Sequence, residues 1–139
     1  MKKLIIIFTF LSTILSNEIF SQQGCLDSTF NTNGIITTSI SGFDKAYSLA
    51  IQSDGKIVVA GYSHPINNYD VSLVRYYSDG SLDNSFGSGG KVTTDVVTGK
   101  SDYAYSVAIQ QDGKIVLAGS SNTGTDCNWA LVRYNHDGT

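Results

Sequence analysis

Apolar and polar positions alternate in several short stretches of this chain, and glycine-containing turns separate these stretches. SLAIQ at residues 48–52 alternates and ends near Asp54-Gly55, and KIVVAGYS follows at residues 56–63. An Asp-Gly pair between two apolar runs predicts a hairpin, because its tight turn requires positive φ. VSLVRYY at residues 71–77 predicts a third strand, and KVTTDVV at residues 91–97 predicts a fourth. No segment keeps a helical period over three turns, so the sequence predicts an all-β chain.

The same pattern is present twice. SLAIQSDGKIVVAG at residues 48–61 recurs as SVAIQQDGKIVLAG at residues 106–119. LDSTF at residues 26–30 recurs as LDNSF at residues 82–86, and the block LVRY-x-x-DG also occurs in both copies. More than half of the aligned positions are identical between the two copies. A match of this quality indicates duplication of one supersecondary unit.

The length and the strand number of the repeat favour one architecture. Four antiparallel strands in a repeat of about 40–60 residues are typical of a β-propeller blade. We therefore expect an all-β fold of β-propeller type with four-stranded antiparallel blades, of which about two are present. The segment GIITTS at residues 34–39 is expected to be the outer strand that begins this array. A flat β-sandwich is the competing architecture.

The number of repeats and the last residues suggest an incomplete propeller. Propellers typically contain about 4–8 blades. The sequence ends in HDGT, inside a motif that the first copy continues as DGSLDNSF. We expect a truncated product or a fragment of a longer propeller. A short protein that assembles with copies of itself is the alternative.

The ordered motifs resemble those of a known family. L-D-x-[ST]-F, G-x-[IV]-T-T, D-x-A-Y-S-[LV]-A-I-Q-x-D-G-K-I-V-[VL]-A-G and L-V-R-Y-x-x-D-G occur in this order, twice. They resemble the delta-60 repeat, and the resemblance covers the chain from Leu26 to Gly138. It implies a bacterial exported protein with a β-propeller architecture. It implies no reaction and no catalytic residues.

The N-terminus has the layout of a secretory signal peptide. Lys2 and Lys3 precede an apolar run from Leu4 to Leu15, which suits a signal peptide and is too short to span a membrane. We expect residues 1–21 to be removed, and a retained N-terminal anchor is the alternative. The protein is therefore expected to be secreted or held at the cell surface.

The mature chain, residues 22–139, is expected to consist of two repeats at about 26–80 and 82–138. It contains no later segment that is long and apolar enough to span a membrane. We expect no lipid anchor at Cys25, because the preceding residues lack the leucine of a lipoprotein cleavage site. A bridge between Cys25 and Cys127, two free thiols, and pairing with another chain all remain open.

Charge limits the class of partner. The formal net charge is −3, and the few Lys and Arg residues are scattered without a basic stripe. The sequence therefore predicts no nucleic-acid partner. A protein or a glycan at the cell surface is the expected partner, with self-association as a further possibility.

Residues that are identical in both copies are those that the unit requires. Asp54, Asp79, Asp112 and Asp137 each precede a glycine, and we expect their carboxylates to accept hydrogen bonds from backbone N–H groups in turns. Calcium at Asp79 and Asp83 is the alternative, but the loop lacks the ligand spacing of an EF-hand. We therefore expect no cofactor.

A second repeated feature is an arginine in the middle of the third strand. Burial of Arg75 or Arg133 would demand an acidic partner, and Asp44 and Asp102 are the repeated candidates. We expect a structural clamp; binding of a polymer or anion by each blade is the alternative. The repeated structural positions are Asp54, Gly55, Asp112, Gly113, Arg75, Arg133, Asp44 and Asp102.

No catalytic constellation is visible. His64 and His136 are the only histidines and are not equivalent in the repeat, and no zinc-ligand spacing is present. We therefore expect no enzyme. The loops at 62–70 and 120–128 differ between copies while the strands match, which is typical of a scaffold that displays variable loops. The candidate binding residues are Tyr62, Asn67, Tyr69, Asn122, Asp126 and Trp129.

Two functions follow from these expectations. The first is a structural or binding module at the cell surface, with protein or glycan as the ligand. The alternative is part of a propeller-fold enzyme whose site lies in further blades. Aromatic side chains of the loops favour binding if they are exposed and would simply be core if they are buried between blades.

Overall fold

The computed structural model describes residues 24–65 and 67–139, and every regular element within them is a β-strand. The predicted signal peptide lies outside the described residues. Seven strands form two antiparallel sheets, of four and three strands, which we term blade 1 and blade 2. Blade 1 comprises β1 (Asp44–Ile51), β2 (Ile57–Ser63), β3 (Asp70–Tyr76) and β4 (Lys91–Thr94), and blade 2 comprises β5 (Asp102–Ile109), β6 (Ile115–Asn122) and β7 (Cys127–Tyr134). The all-β prediction of two antiparallel blades is confirmed.

Within each blade, consecutive strands are neighbours. The β1–β2 and β5–β6 hairpins turn at Asp54-Gly55 and Asp112-Gly113, with φ values of 83° and 81° at the two glycines. Asp54 Oδ1 accepts a hydrogen bond from the Lys56 amide at 3.1 Å. Asp112 Oδ1 likewise accepts one from the Lys114 amide at 3.2 Å. Both turns are therefore built by the residue pair that the two copies share.

The two blades pack face to face around one apolar core. Val58 and Leu73 of blade 1 and Ile115 of blade 2 are completely buried, and Leu117 is 1% exposed. Burying one such side chain contributes roughly 1.5–3 kcal/mol to folding. The core is completed from blade 1 by Ala60, Val71 and Phe86 and from blade 2 by Ala104, Val107 and Tyr134.

The connection between β3 and β4 links the two blades. Phe86, in the LDNSF loop at residues 82–86, is completely buried. A Cβ added at Gly138 of blade 2 would lie 2.9 Å from the Phe86 ring, so Gly138 provides the space for the ring. The amide of Gly87 donates to the carbonyl of Asp137 at 2.8 Å. The loop therefore completes one blade and holds the next.

The same contact recurs one repeat earlier. Phe30 of the LDSTF loop lies against Gly80, where an added Cβ would be 2.9 Å from the ring. The amide of Asn31 donates to the carbonyl of Asp79 at 2.8 Å. Each LD-x-[ST]-F loop therefore packs on the Asp-Gly turn that follows the third strand of the same repeat, which is the blade that comes next along the chain.

The predicted partners of the repeated arginines were wrong. Arg75 is 4% exposed and its Nε donates to Asp83 Oδ2 at 2.8 Å, whereas Asp44 accepts the amides of Ile40 and Ser41 at 2.9 and 3.1 Å. The LDNSF loop brings Asp83 over β3 because the amide of Asp83 bonds to the carbonyl of Arg75. Arg133 is exposed, and the other candidate partner, Asp102, accepts hydrogen bonds from Ser121 and Val96.

The expectation of an outer strand at GIITTS was also wrong. Residues 35–39 form no strand in the structure, although their counterpart Lys91–Thr94 is β4. A strand requires a hydrogen-bonding neighbour, and none of the described strands pairs with this segment. The segment is held by side chains instead: Tyr76 Oη donates to Thr38 Oγ1 at 2.7 Å, and Lys91 Nζ donates to the carbonyl of Ser39 at 2.8 Å.

Among the described residues, no helix meets the length and apolarity required to cross a membrane. Cys25 and Cys127 both carry free, exposed thiols.

Candidate functional site

A β-bulge in the first strand of each blade displays a tyrosine. The register of β1 against β2 shifts between Ala46 and Ser48, which leaves Tyr47 as the extra residue. The register of β5 against β6 shifts in the same way around Tyr105. Because a bulge re-aims the side chain of its extra residue, the repeat presents one tyrosine per blade.

Glycines opposite the bulges make this geometry possible. A Cβ added at Gly61 would lie 1.8 Å from the carbonyl oxygen of Lys45, and one at Gly119 would lie 1.8 Å from that of Tyr103. The atoms that these glycines accommodate belong to the adjacent strand of the same blade.

The bulge tyrosines belong to a tyrosine cluster formed by both blades. Its members are Tyr47, Tyr62, Tyr69, Tyr103 and Tyr105. Tyr62 lies at the centre, with ring centroids at 5.5 Å from Tyr47, 5.1 Å from Tyr69 and 4.8 Å from Tyr103. Tyr47 meets Tyr105 across the blade interface, edge to face, at 5.4 Å. Aromatic pairs at these separations each contribute about 0.5–1.5 kcal/mol beyond area burial.

The cluster has a buried base and an exposed rim. Tyr62 is 8% exposed, whereas Tyr47 and Tyr105 are 49% and 48% exposed. Phe43 and His64 extend the aromatic surface beside Tyr69, at centroid distances of 6.1 and 4.8 Å. The rim therefore offers two half-exposed rings whose positions are fixed by the packing below them.

The hydroxyl group of Tyr62 titrates at unusually high pH. It lies 3.3 Å from Tyr47 Oη, and this hydrogen bond together with burial raises the pKa of Tyr62 to about 12. Since the pKa is higher in the folded than in the unfolded chain, this contribution to stability is complete below about pH 10 and is lost as the pH rises towards 12.

Replacing Tyr62 by phenylalanine should flatten this alkaline loss of stability. The substitution keeps the ring and removes the titrating group, so the free energy of unfolding should fall less steeply between about pH 10 and 12 than in the unsubstituted chain. Urea unfolding at a series of pH values measures this slope. Equal slopes in the two proteins would contradict the assignment to Tyr62.

Three carboxylates lie beside the cluster. One oxygen from each of Asp70, Asp95 and Asp102 lies within 4.8 Å of the others. Burial, followed by the charges of Asp95 and Asp102, raises the pKa of Asp70. The carboxylate of Asp102 is occupied by internal hydrogen bonds. It accepts one from Ser121 Oγ at 2.5 Å and one from the amide of Val96 at 2.7 Å. We therefore assign Asp102 a structural role at the start of β5 and assign no metal to this group.

The carboxylates for which calcium was considered make internal contacts. Asp79 Oδ1 accepts the amide and hydroxyl of Ser81 at 2.8 and 2.6 Å, which lowers its pKa. Asp83 is bound by Ser85, Arg75 and Lys56. Burial would raise the pKa of Asp83, but the hydrogen bonds from Ser85 and the charge of Arg75 outweigh it and hold the pKa well below its usual range.

The structure divides the predicted binding residues into two groups. Tyr62 and Tyr69 belong to the tyrosine cluster, and exposed Asn67 lies in the same β2–β3 connection. The other group belongs to the β6–β7 hairpin: Asn122 Oδ1 accepts the amide of Gly124 at 2.7 Å, and the Asp126 carbonyl accepts the amide of Thr123. Trp129, at the start of β7, is fully exposed.

Trp129 lines an apolar cavity on the outer face of blade 2. The cavity has a volume of about 490 Å³ and is also lined by Tyr105, Ala118 and Leu131. The sequence reasoning did not select Tyr47 and Tyr105 as site residues. The available signal was a repeated glycine inside a strand, Gly61 and Gly119, which often marks a bulge.

Comparison with known proteins supports the blade assignment. Residues 52–86 and 110–139 match a family described as a domain of unknown function (DUF5122) beta-propeller. The chain is similar to a β-propeller family in both repeats. The first matched segment contains β2, β3 and the LDNSF loop, and that loop is the element that links the two blades. None of the curated proteins matches the chain.

Proposed function

We propose that this chain is an exported β-propeller module of the delta-60 type that binds a partner at the cell surface through its tyrosine cluster. One observation carries the proposal: Tyr47 and Tyr105 occupy equivalent bulges, lie 5.4 Å apart and are half exposed. Structural tyrosines in a core are buried, whereas these two keep one edge in solvent while the rings below fix their orientation. The proposal assigns binding to this surface and no reaction.

A neutral glycan is the ligand class that best suits the surface. Tyrosine combines an apolar ring, which stacks on the apolar face of a sugar, with a hydroxyl group that hydrogen-bonds. The exposed carboxylate of Asp95 and the buried ones of Asp70 and Asp102 lie beside the cluster, and the chain has a net charge of −3. These charges disfavour acidic polysaccharides and nucleic acids.

The β2–β3 connection is expected to tune specificity. It places Asn67 and Asn68 next to Tyr69, and Asn68 Nδ2 donates to Asp70 and to the carbonyl of Lys100 at 2.6 and 2.8 Å. The equivalent loop of the second repeat has a different sequence. A rigid scaffold with unequal loops is a common arrangement for recognition.

Replacing both Tyr47 and Tyr105 by alanine should weaken glycan binding at least about tenfold, because both stacking surfaces are removed. Isothermal titration calorimetry of the purified chain with a panel of neutral oligosaccharides measures the loss of affinity. Tyr77→Ala is the matched control, since Tyr77 is 41% exposed and makes its contact with Lys56 instead of with the cluster.

Three outcomes decide the proposal. Selective loss in the double variant supports it. Glycan binding that survives in the double variant contradicts the placement of the site. If no neutral glycan binds, but a protein partner binds in a way that requires Tyr47 and Tyr105, the glycan assignment is contradicted and the binding surface stands.

A further inference from the structure

Within the part of the chain that the structure describes, the pair of blades has an uncovered apolar face at each end. On blade 2, Trp129 is 100% and Leu131 is 76% exposed, and on blade 1, Leu49 and Ile51 are 61% and 65% exposed. These values are unusual for strand residues of a packed sheet, since large apolar side chains normally point into a core.

The two uncovered faces are counterparts of the two halves of the internal interface. Leu131 corresponds to Leu73, which is completely buried between the blades. Leu49 corresponds in the same way to Val107, which is 9% exposed at the internal interface. The outer face of blade 2 therefore has the pattern of a surface that packs on the outer face of blade 1.

Backbone hydrogen bonding gives a second, independent observation. In blade 1, β4 pairs with β3 in the register Leu73 with Val92 and Val74 with Lys91. In the described residues, β7 has no strand on its outer side, and residues 35–38, the counterpart of β4, have no strand beside them. Transfer of the β3–β4 register pairs Leu131 with Ile36.

Charge gives a third observation. The internal ion pair joins Arg75 of β3 to Asp83 of the LDNSF loop at 2.8 Å. Its counterparts in the other repeats are Arg133 and Asp27. Both are exposed, and the salt bridges of the described residues include neither of them. One exposed cation and one exposed anion thus occupy the positions that pair internally.

We propose that two copies of this chain dock head to tail, blade 2 of one copy packing on the outer face of blade 1 of the next. In this arrangement the second copy supplies residues 35–38 as the fourth strand of the first copy's blade 2. Asp27 of the second copy pairs with Arg133 of the first. The interface repeats the strand register, the ion pair and the leucine packing that already join the two blades within one chain.

A cavity accounts for one large difference between the internal and the proposed interface. Trp129 stands where the internal interface has Val71, so the receiving face must accommodate a larger side chain. Blade 1 has a cavity of about 300 Å³ on its outer face, lined among others by Ile36, Ala46, Gly61 and Tyr76. Ala46 corresponds to Ala104, which shares the internal core with Val71. The cavity therefore lies where the docked Trp129 would point.

The symmetry of the contact is heterologous, because different surfaces meet. Such an interface closes into a ring or continues as a filament. A ring built from the two described blades of each copy would contain about two to four copies, since propellers have about 4–8 blades. Either product follows from the same contact.

The single tryptophan of the chain provides a direct reading of docking. We expect the purified chain to increase in mass with concentration in light scattering, while Trp129 emission shifts to shorter wavelength over the same range. A chain that stays monomeric at all concentrations would overturn the proposal. This holds even if other residues of the same polypeptide cover Trp129.

A charge exchange tests the register. Arg133→Asp and Asp27→Arg should each weaken association at least about thirtyfold, because a desolvated pair becomes two like charges. The two substitutions together should restore it. Both positions are exposed in one chain, so far-UV circular dichroism should remain unchanged. Association that is equal in all variants, or not restored in the double variant, would overturn the proposed register.

Cross-linking tests the strand pairing. In a background with Cys25→Ser and Cys127→Ser, Ile36→Cys and Leu131→Cys on separate copies should form an intermolecular disulfide, since directly opposed side chains lie within its reach. Ile36→Cys with Tyr77→Cys is the off-register control. Equal cross-linking in both pairs would indicate unspecific aggregation and overturn the proposal.

Discussion

Replacing Asp83 by asparagine should destabilise the chain by about 3–5 kcal/mol, because it leaves the buried guanidinium of Arg75 without an anion. Asp83 is completely buried and Arg75 is 4% exposed. The guanidinium also donates to the carbonyl of His136 and packs on the Phe86 ring at 4.4 Å. Removing the charge of Asp83 therefore disturbs the contact between β3, the LDNSF loop and blade 2 together.

Asp27→Asn provides the matched control for this prediction. Asp27 holds the equivalent loop position and accepts the amide of Thr29 at 2.9 Å, as Asp83 accepts that of Ser85 at 3.1 Å, but it is exposed. Its substitution should leave the free energy of unfolding almost unchanged. Urea unfolding at a concentration where both proteins are monomeric measures the difference. Equal losses in the two variants would contradict a special role for the buried pair.

The pH dependence of stability should also reveal the contribution of Asp83. The pKa of Asp83 is lower in the folded chain than in the unfolded chain, so its contribution is present above about pH 4 and is lost as the pH falls further. The unsubstituted chain should therefore lose stability on acidification more steeply than Asp83→Asn. Parallel acid profiles of the two proteins would show that other carboxylates carry the effect.

Gly61→Ala should cost more than about 3 kcal/mol, because its Cβ would lie 1.8 Å from a backbone oxygen that cannot move without breaking the β1–β2 ladder. The expected response is loss of the bulge, which would also change the orientation of Tyr47. Thermal unfolding measures the cost, and near-ultraviolet circular dichroism reports the tyrosine environment.

Gly42→Ala separates this steric effect from the general effect of removing a glycine. A Cβ at Gly42 meets nothing within 4 Å, and its φ is not in the left-handed region, so alanine there should be neutral or stabilise by less than about 1 kcal/mol. If Gly61→Ala behaved like Gly42→Ala, the bulge would have room that the structure does not show.

The regular part of the fold could be predicted because local rules decide it. Asp54-Gly55 and Asp112-Gly113 specify tight turns through their own conformational preferences, and the duplicated apolar runs specify the strands on either side. Two occurrences of one motif also reveal which positions the unit requires. These signals act over a few residues and need no knowledge of the tertiary contacts.

The failures all concern contacts between segments that are distant in sequence. Asp44 and Asp102 were the candidate partners of the arginines because they also repeat. The partner of Arg75 is instead Asp83, in a loop whose fold over β3 the hydrophobic pattern does not encode. Residues 35–39 have the sequence of a strand, yet a strand forms only where an edge is available. Tyr47 was overlooked because a bulge shifts the register by one residue and leaves the apolar pattern almost unchanged.

The sequence repeat and the blade are out of phase, and this has an evolutionary consequence. The second repeat begins with the loop and strand at 82–94, which complete blade 1, and ends after the third strand of blade 2. Each duplicated stretch of the gene therefore encodes the fourth strand of one blade and the first three strands of the next. A gene built this way can gain or lose whole repeats by unequal recombination without producing a blade that has too many strands. Blade number, and with it the number of bulge tyrosines, is then a quantity on which selection acts in single steps.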